Sequence, residues 1–320
     1  MGCQSASSPS ASPEVQRITH ELQESYRNGN RPYALALSDS LIHIAPASPT
    51  GYLWKGILLR EIGQLQEAAH MFELAHQRAP QQAEPLLLLG RVRQQQGRFA
   101  EALTHYRRAI QHASSTLQAA GWLQMGYTYH EQGMRDSARY AFTHALAVDS
   151  TLAEAWDGLR LLWEEEGRTR QALTAIQRAI RINPGELNYY LIRGRLLLQQ
   201  GDYETAIQDF QRVLSQRPWH QEAHYALSRA YQSLGDTMQA RKHRTIATSL
   251  QELQPLLTQA EVEAREHPQA LALLKLARRL LQEGRARATR EALEAVRTVL
   301  PGNKPVEEVI NRMKQLMSDE

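Results

Sequence analysis

The residue types able to do chemistry in this sequence reduce to a histidine pair and one cysteine. Twelve histidines are spread over 320 residues, and in the segment HQEAH two of them, His220 and His224, stand four apart. On a helix that spacing puts two imidazoles on one face, a geometry that chelates metal ions. The pair straddles the turn after Pro218, Glu222 is not where a zinc-protease motif needs its general base, and no third ligand is evident. His105 and His112 are seven apart, as are His70 and Gln77, and neither pair has a cysteine or carboxylate cluster beside it. These read as helix-surface residues. Cys3 is the sole cysteine. Near the chain end and with no base beside it, its thiol has nothing to activate it as a nucleophile. There is no G-x-S-x-G, phosphate-binding glycine loop or dinucleotide fingerprint. The expectation is a non-enzyme, with no cofactor and no metal.

Composition narrows the class further. Apolar residues make up 42%, mostly Leu and Ala, and Gln, Arg and Glu dominate the polar set. Such a chain is rich in helix formers and has no alternating β-branched stretches. The net charge is +3, with acids and bases interspersed and no basic run of five. That field is too mild to draw nucleic acid. No run of 18 apolar residues is present, so no membrane-spanning helix is expected.

The elements that position any site come from an internal repeat. Gly29, Gly63, Gly97, Gly133, Gly167, Gly201, Gly235 and Gly284 are separated by 34, 34, 36, 34, 34, 34 and 49 residues. Five residues after them stand Ala34, Ala68, Ala102, Ala138, Ala172, Ala206 and Ala240, with Thr289 the exception. Seven before stand Gly56, Gly90, Gly126 and Gly194, and seventeen after stand Pro46, Pro80, Pro184, Pro218 and Pro301. The repeated glycine suits a left-handed helix end. The alanine lets two helices cross closely, and the proline stops the second helix. Phe72, Tyr106, Phe142 and Phe210 are expected to wedge between neighbouring units.

These positions resemble the tetratricopeptide repeat, a helix–turn–helix unit of 34 residues. The resemblance covers about residues 15–254 as seven units, with a poorer eighth near 270–303. It implies an all-α fold, a right-handed superhelical solenoid. The expected organisation is a Ser/Pro-rich disordered tether over 1–13, seven repeats over 14–254, an extra helix plus a degenerate eighth repeat over 255–303, and a capping helix over 304–320. Pro255 is expected to start the extra helix and Pro268 to end it. In the last helix Val306, Ile310, Met313 and Met317 share an apolar face that suits a cap on the final repeat.

In this family the first helix of each unit lines a groove in which partners usually lie. By register the groove positions are Leu53, Ile57, Leu87, Arg91, Leu123, Tyr127, Leu161, Leu191, Arg195, Leu198, Tyr225 and Arg229. An apolar wall bearing three arginines suits a protein or peptide partner that carries carboxylates. Glu154, Asp157, Glu164 and Glu165 form an acidic patch in the fifth unit. The Lys/Asn carboxylate clamp of some chaperone-binding members is not present, since Leu87, Arg91, Leu123 and Tyr127 occupy its places.

Gly2-Cys3 ahead of QSASSPSASP resembles the mature end of a bacterial lipoprotein, with lipid on the cysteine. The apolar stretch that precedes such a cysteine is missing, so either the true gene start lies upstream of Met1 or Met-Gly stands in place of the signal. Gln4 after the cysteine favours an outer membrane, with the protein facing the periplasm. The only membrane contact is then that lipid, and a tether of some ten residues spans about 30 Å when extended. Met-Gly-Cys also resembles a myristoylation start, although Ala6 stands where Ser or Thr is usual, and an ordinary disordered terminus with an incidental cysteine is the other alternative. The family implies a scaffold in envelope, secretion or pilus assembly, with a soluble cytoplasmic adaptor or co-chaperone as the alternative.

Overall fold

A computed structural model describes residues 12–318, with side chains for 12–314; Cys3 and the side chain of Met317 therefore lie outside what is described. The described residues form seventeen α-helices and no strand. The chain divides into two compact units, one ending at Leu162 and the other beginning at Trp163.

The first unit contains α1 (Pro13–Arg27), α2 (Arg31–Ile44), α3 (Pro49–Glu61), α4 (Leu65–Arg78), α5 (Glu84–Gln95), α6 (Phe99–His112), α7 (Ser115–Glu131) and α8 (Arg135–Val148). It also holds most of α9 (Ala153–Glu165). Each pair is antiparallel because a short turn closes it. At Gly63 the backbone takes φ +81°, and the Gln64 amide returns to the Leu59 carbonyl at 2.9 Å. That return bond satisfies a carbonyl the helix end would leave open. All eight repeat glycines have φ between +69° and +85°.

The small residues set how close the helices come. Ala34, Ala68, Ala102 and Ala138 are fully buried. A Cβ on Gly56, Gly90 or Gly126 would lie 2.4–2.6 Å from the ring of Phe72, Tyr106 or Phe142. These aromatics thus fill the space their own unit's glycine leaves. Phe142 also meets Gly158 of α9, while Phe72 shares a core with Leu89 and Val92 of α5 and Tyr106 shares one with Met125 of α7, so these rings pack against the next unit as well. In the first repeat the sizes are exchanged, with Leu22 and Ser38 at the corresponding positions, both buried.

The second unit contains α10 (Thr169–Ile182), α11 (Leu187–Gln200), α12 (Tyr203–Gln216), α13 (Gln221–Ser233), α14 (Thr237–Glu263), α15 (Pro268–Gln282), α16 (Ala286–Val299) and α17 (Lys304–Ser318). Ala172 and Ala206 are again fully buried, and Phe210 fills the space beside Gly194. Thr289 is tolerated where alanine is the rule because its hydroxyl donates to the Arg285 carbonyl at 2.8 Å.

Pro255 does not begin a helix. It lies inside the 27-residue α14, and Pro268 opens α15 rather than ending an extra helix. An interior proline costs roughly 3 kcal/mol. Leu250, Leu253, Leu257 and Ala260 continue one buried stripe through it, packed with residues of α15, α16 and α17. Burying each leucine contributes about 1.5–3 kcal/mol, which outweighs the proline. Val306, Ile310 and Met313 of α17 join the same core. Trp219, 1% exposed, enters it from the loop after α12, and its amide donates to the Gly284 carbonyl at 3.3 Å.

Candidate protein-binding surface

In the first unit the first helices of successive repeats touch one another directly, α3 with α5 and α5 with α7. They therefore present one surface, and the positions they expose on it determine what it can bind. Leu53 and Ile57 of α3 are half-buried, whereas Leu87 and Leu123 are buried, Leu87 within the core of α5, α6 and α7. Tyr127 is half-buried, its ring edge-on to Phe142 at 5.1 Å and its hydroxyl donating to the Glu154 carbonyl at 3.1 Å. Leu161 is half-buried on α9. The apolar wall is thus thinner than register alone predicts, because two of its leucines pack inward.

Arg91 is half-buried and borders a pocket of about 310 Å³ with Arg60, Gln94, Gln95, Gln124 and Glu131. Burial pushes the Arg91 guanidinium below its ordinary pKa; the Tyr106 phenol opposes that shift, and Arg60 adds to it. Arg60 was not among the register positions. It stands one turn beyond Ile57 on α3, three residues before Gly63, so an i, i+3 extension of the groove face would have included it.

In the second unit α11 touches α13. Leu191 is buried, Leu198 half-buried and Arg229 exposed. Arg195 is exposed but already paired, its Nη1 2.8 Å from Glu222 Oε1. Tyr225, 55% exposed, borders a pocket of about 480 Å³ with Gln221, Glu222, Arg244, Thr248 and Gln251.

Within the acidic patch Asp157 is not a free carboxylate. Asp157 accepts from Arg160 Nε at 2.6 Å, and Arg160 is only 6% exposed, at the place where other repeats carry glycine. A buried arginine requires such a counter-charge. Glu154 is exposed, and Glu164 and Glu165, in the second unit, each have an interaction of their own.

His220 and His224 serve the fold. His220 Nδ1 accepts from the Ala223 amide at 3.3 Å, capping α13. His224 donates Nε2–H to the Pro218 carbonyl at 2.7 Å, which leaves its Nδ1 to accept from His243 Nδ1–H at 2.9 Å. His243 stacks on Tyr231, and burial, reinforced by His224 and Lys242, pushes its pKa down to about 4. Sequence spacing could not reveal His243, which is 19 residues away on the partner helix. No group of three His, Cys, Asp or Glu able to hold a metal is found among the described residues. None of the described helices is long and apolar enough to cross a membrane.

The tetratricopeptide-repeat family model matches residues 81–151 and 197–243. Over those two segments the chain carries tetratricopeptide repeats. The CTR9 homolog protein of Arabidopsis thaliana is 30% identical over 198 residues, covering 59% of this chain and 18% of that protein. The chain thus spans under a fifth of that relative's length. Among solved structures, PilW, a type IV pilus biogenesis factor, matches 68% of this chain and 100% of its own at 16% identity, TM-score 0.59. Pseudomonas aeruginosa pilF matches 65% of this chain and 94% of its own at 16% identity, TM-score 0.55. At these identities the likeness is one of fold.

Proposed function

We propose that the protein is a non-catalytic scaffold that binds another protein on the first-helix surface of its repeats. Tetratricopeptide repeats generally bind protein partners, and the observation that carries the reading here is the contiguous face of α3, α5 and α7. These helices carry half-buried Leu53, Ile57, Arg91 and Tyr127. A surface that mixes apolar positions with arginine forks suits an extended or helical segment. In this reading Cys3 carries lipid and holds the scaffold at the periplasmic face of an outer membrane, in envelope, secretion or pilus assembly. The fold shared with PilW supports the pilus branch of that reading.

Two measurements test it. A photo-crosslinking residue at Ile57 should capture a protein that the same residue at Thr104, exposed on α6, does not. Equal capture at both positions refutes the surface. The intact mass of the protein, made in its native cells from the gene with its upstream region, should show cleavage before Cys3 plus diacylglycerol. An unlipidated chain in the soluble fraction refutes the anchor and leaves a soluble adaptor.

A further inference from the structure

Three arginines that lie partly or wholly inside the first unit face a carboxylate. Arg31 reaches Glu61 at 2.7 Å, Arg93 reaches Glu73 at 2.7 Å and Arg160 reaches Asp157 at 2.6 Å. Arg60 and Arg91 depart from this pattern. Both are half-buried, they border the same pocket, and neither makes an ion pair with a described residue. Arg60 Nε is moreover buried with no hydrogen-bond partner. The pocket's one carboxylate, Glu131, accepts from Gln94 Nε2 at 2.7 Å. Two like charges, partly desolvated and sharing a single carboxylate with which neither pairs directly, leave an excess positive charge that an incoming anion would complete. The surrounding side-chain amides of Gln95 and Gln124 add neutral donors.

We propose that this pocket is an oxyanion subsite, in which the Arg60 and Arg91 guanidinium forks together take a carboxylate from an acidic segment of the partner. The inference rests on the protein-binding reading of the same surface and names the chemistry of what binds there. Each guanidinium presents planar paired donors that match a carboxylate's two oxygens. The pocket is walled by α3, α5 and α7, and Ile57 is one turn from Arg60 on the same helix face. A carboxylate flanked by apolar side chains therefore fits better than a small free anion.

The test uses the full chain and a fluorescent, end-blocked peptide, Leu-Glu-Leu-Glu-Leu, with its Leu-Gln-Leu-Gln-Leu counterpart, read by anisotropy. The glutamate peptide should bind, the glutamine peptide should bind at least tenfold more weakly, and raising salt should weaken the first alone. Arg60→Gln and Arg91→Gln should each weaken the glutamate peptide about tenfold or more, as loss of a charge-assisted bond does. Arg178→Gln, an exposed control on α10, should leave it unchanged. Neither pocket variant should lower the Tm, because each removes one of two opposed like charges. Equal binding of the two peptides, no binding of the glutamate peptide, or affinity indifferent to Arg60 and Arg91 overturns the proposal. Inorganic phosphate competing at far lower concentration than glutarate also overturns it, assigning the pocket to a phosphorylated segment. Crosslinking at Ile57 that persists in the Arg60→Gln/Arg91→Gln protein keeps the binding surface while the subsite fails. Loss of Ile57 capture with peptide binding intact does the reverse.

Discussion

The packing of each glycine against an aromatic ring gives the sharpest prediction, at Gly90. A Cβ added there would lie 2.4 Å from Tyr106 Cε1, 2.7 Å from Cδ1 and 3.0 Å from Cζ. Carbon atoms rest about 3.5–4.0 Å apart, so the ring or α5 must shift by roughly 1 Å. Tyr106 has no room to give, since it is fully buried and its hydroxyl is tied to Gln94 Oε1 at 3.0 Å. Overpacking of this kind costs about 1–3 kcal/mol, with the upper end expected for so short an approach. Alanine in place of glycine inside a helix returns about 1 kcal/mol. Gly90→Ala should therefore destabilise the protein by about 2 kcal/mol.

The assay is urea denaturation with hydrogen exchange resolved on α5 and α6, because repeats stacked in series need not unfold as one unit. The eighth repeat supplies a rescue. It carries Ala277 and Leu293 at the positions of Gly90 and Tyr106, both buried in one core. Tyr106→Leu alone should lose stability through the space it leaves. In the double variant the two losses should offset, with a coupling of about 0.5–3 kcal/mol between the sites. A stabilising Gly90→Ala, or a double variant that is merely the sum of its parts, would refute size complementarity as the rule of these repeats.

The remaining predictions probe other contacts. Gly63→Ala, which meets no atom within 4 Å but needs φ +81°, should cost about 1–2 kcal/mol from the backbone alone, again read by urea denaturation. Pro255→Ala should stabilise the second unit by about 1–3 kcal/mol, since it restores an amide donor inside α14; an unchanged Tm would show that the helix has absorbed the defect. His243 titrates near 4 when folded but near its ordinary 6.5 when unfolded. The unfolded chain therefore binds the extra proton first, and stability should fall as pH drops from about 6.5 to 4. Solvent screening limits the loss to about 1–2 kcal/mol, and His243→Gln should flatten that slope. Trp219→Ala should cost about 3–5 kcal/mol in the second unit and leave peptide binding at Arg60 and Arg91 unaltered.

What the sequence made legible was local in origin. The turn at Gly63 needs a left-handed residue and the crossing at Ala68 needs a small one, whatever surrounds them, so both recur at fixed spacing. Pro255 misled because its local preference, to start a helix, is overridden by leucines whose partners lie as far away as α17. Trp219 and His243 were invisible for the same reason, each being defined by a contact between separate helices. Leu87 and Leu123 hold the right register for a groove, yet they turn inward, a choice made by the neighbouring side chains rather than by spacing.

Comparing the repeats with one another separates residues held by folding from those available for binding. Five residues after each glycine, seven of eight positions are alanine and all eight are buried. Six residues before it, the chain carries Ile57, Arg91, Tyr127, Leu161, Arg195 and Arg229, and three before it, Arg60, Gln94, His130, Glu164, Leu198 and Gln232. Helix packing tolerates this variety because these side chains lie at the edge of the core or outside it, none of them fully buried. The fold therefore does not dictate them. Arginine is costly at a half-buried position without a counter-charge, and no packing requirement at Arg60 or Arg91 accounts for it. A carboxylate supplied by another molecule does, which makes those two residues the place where this scaffold should differ most from others built on the same repeat.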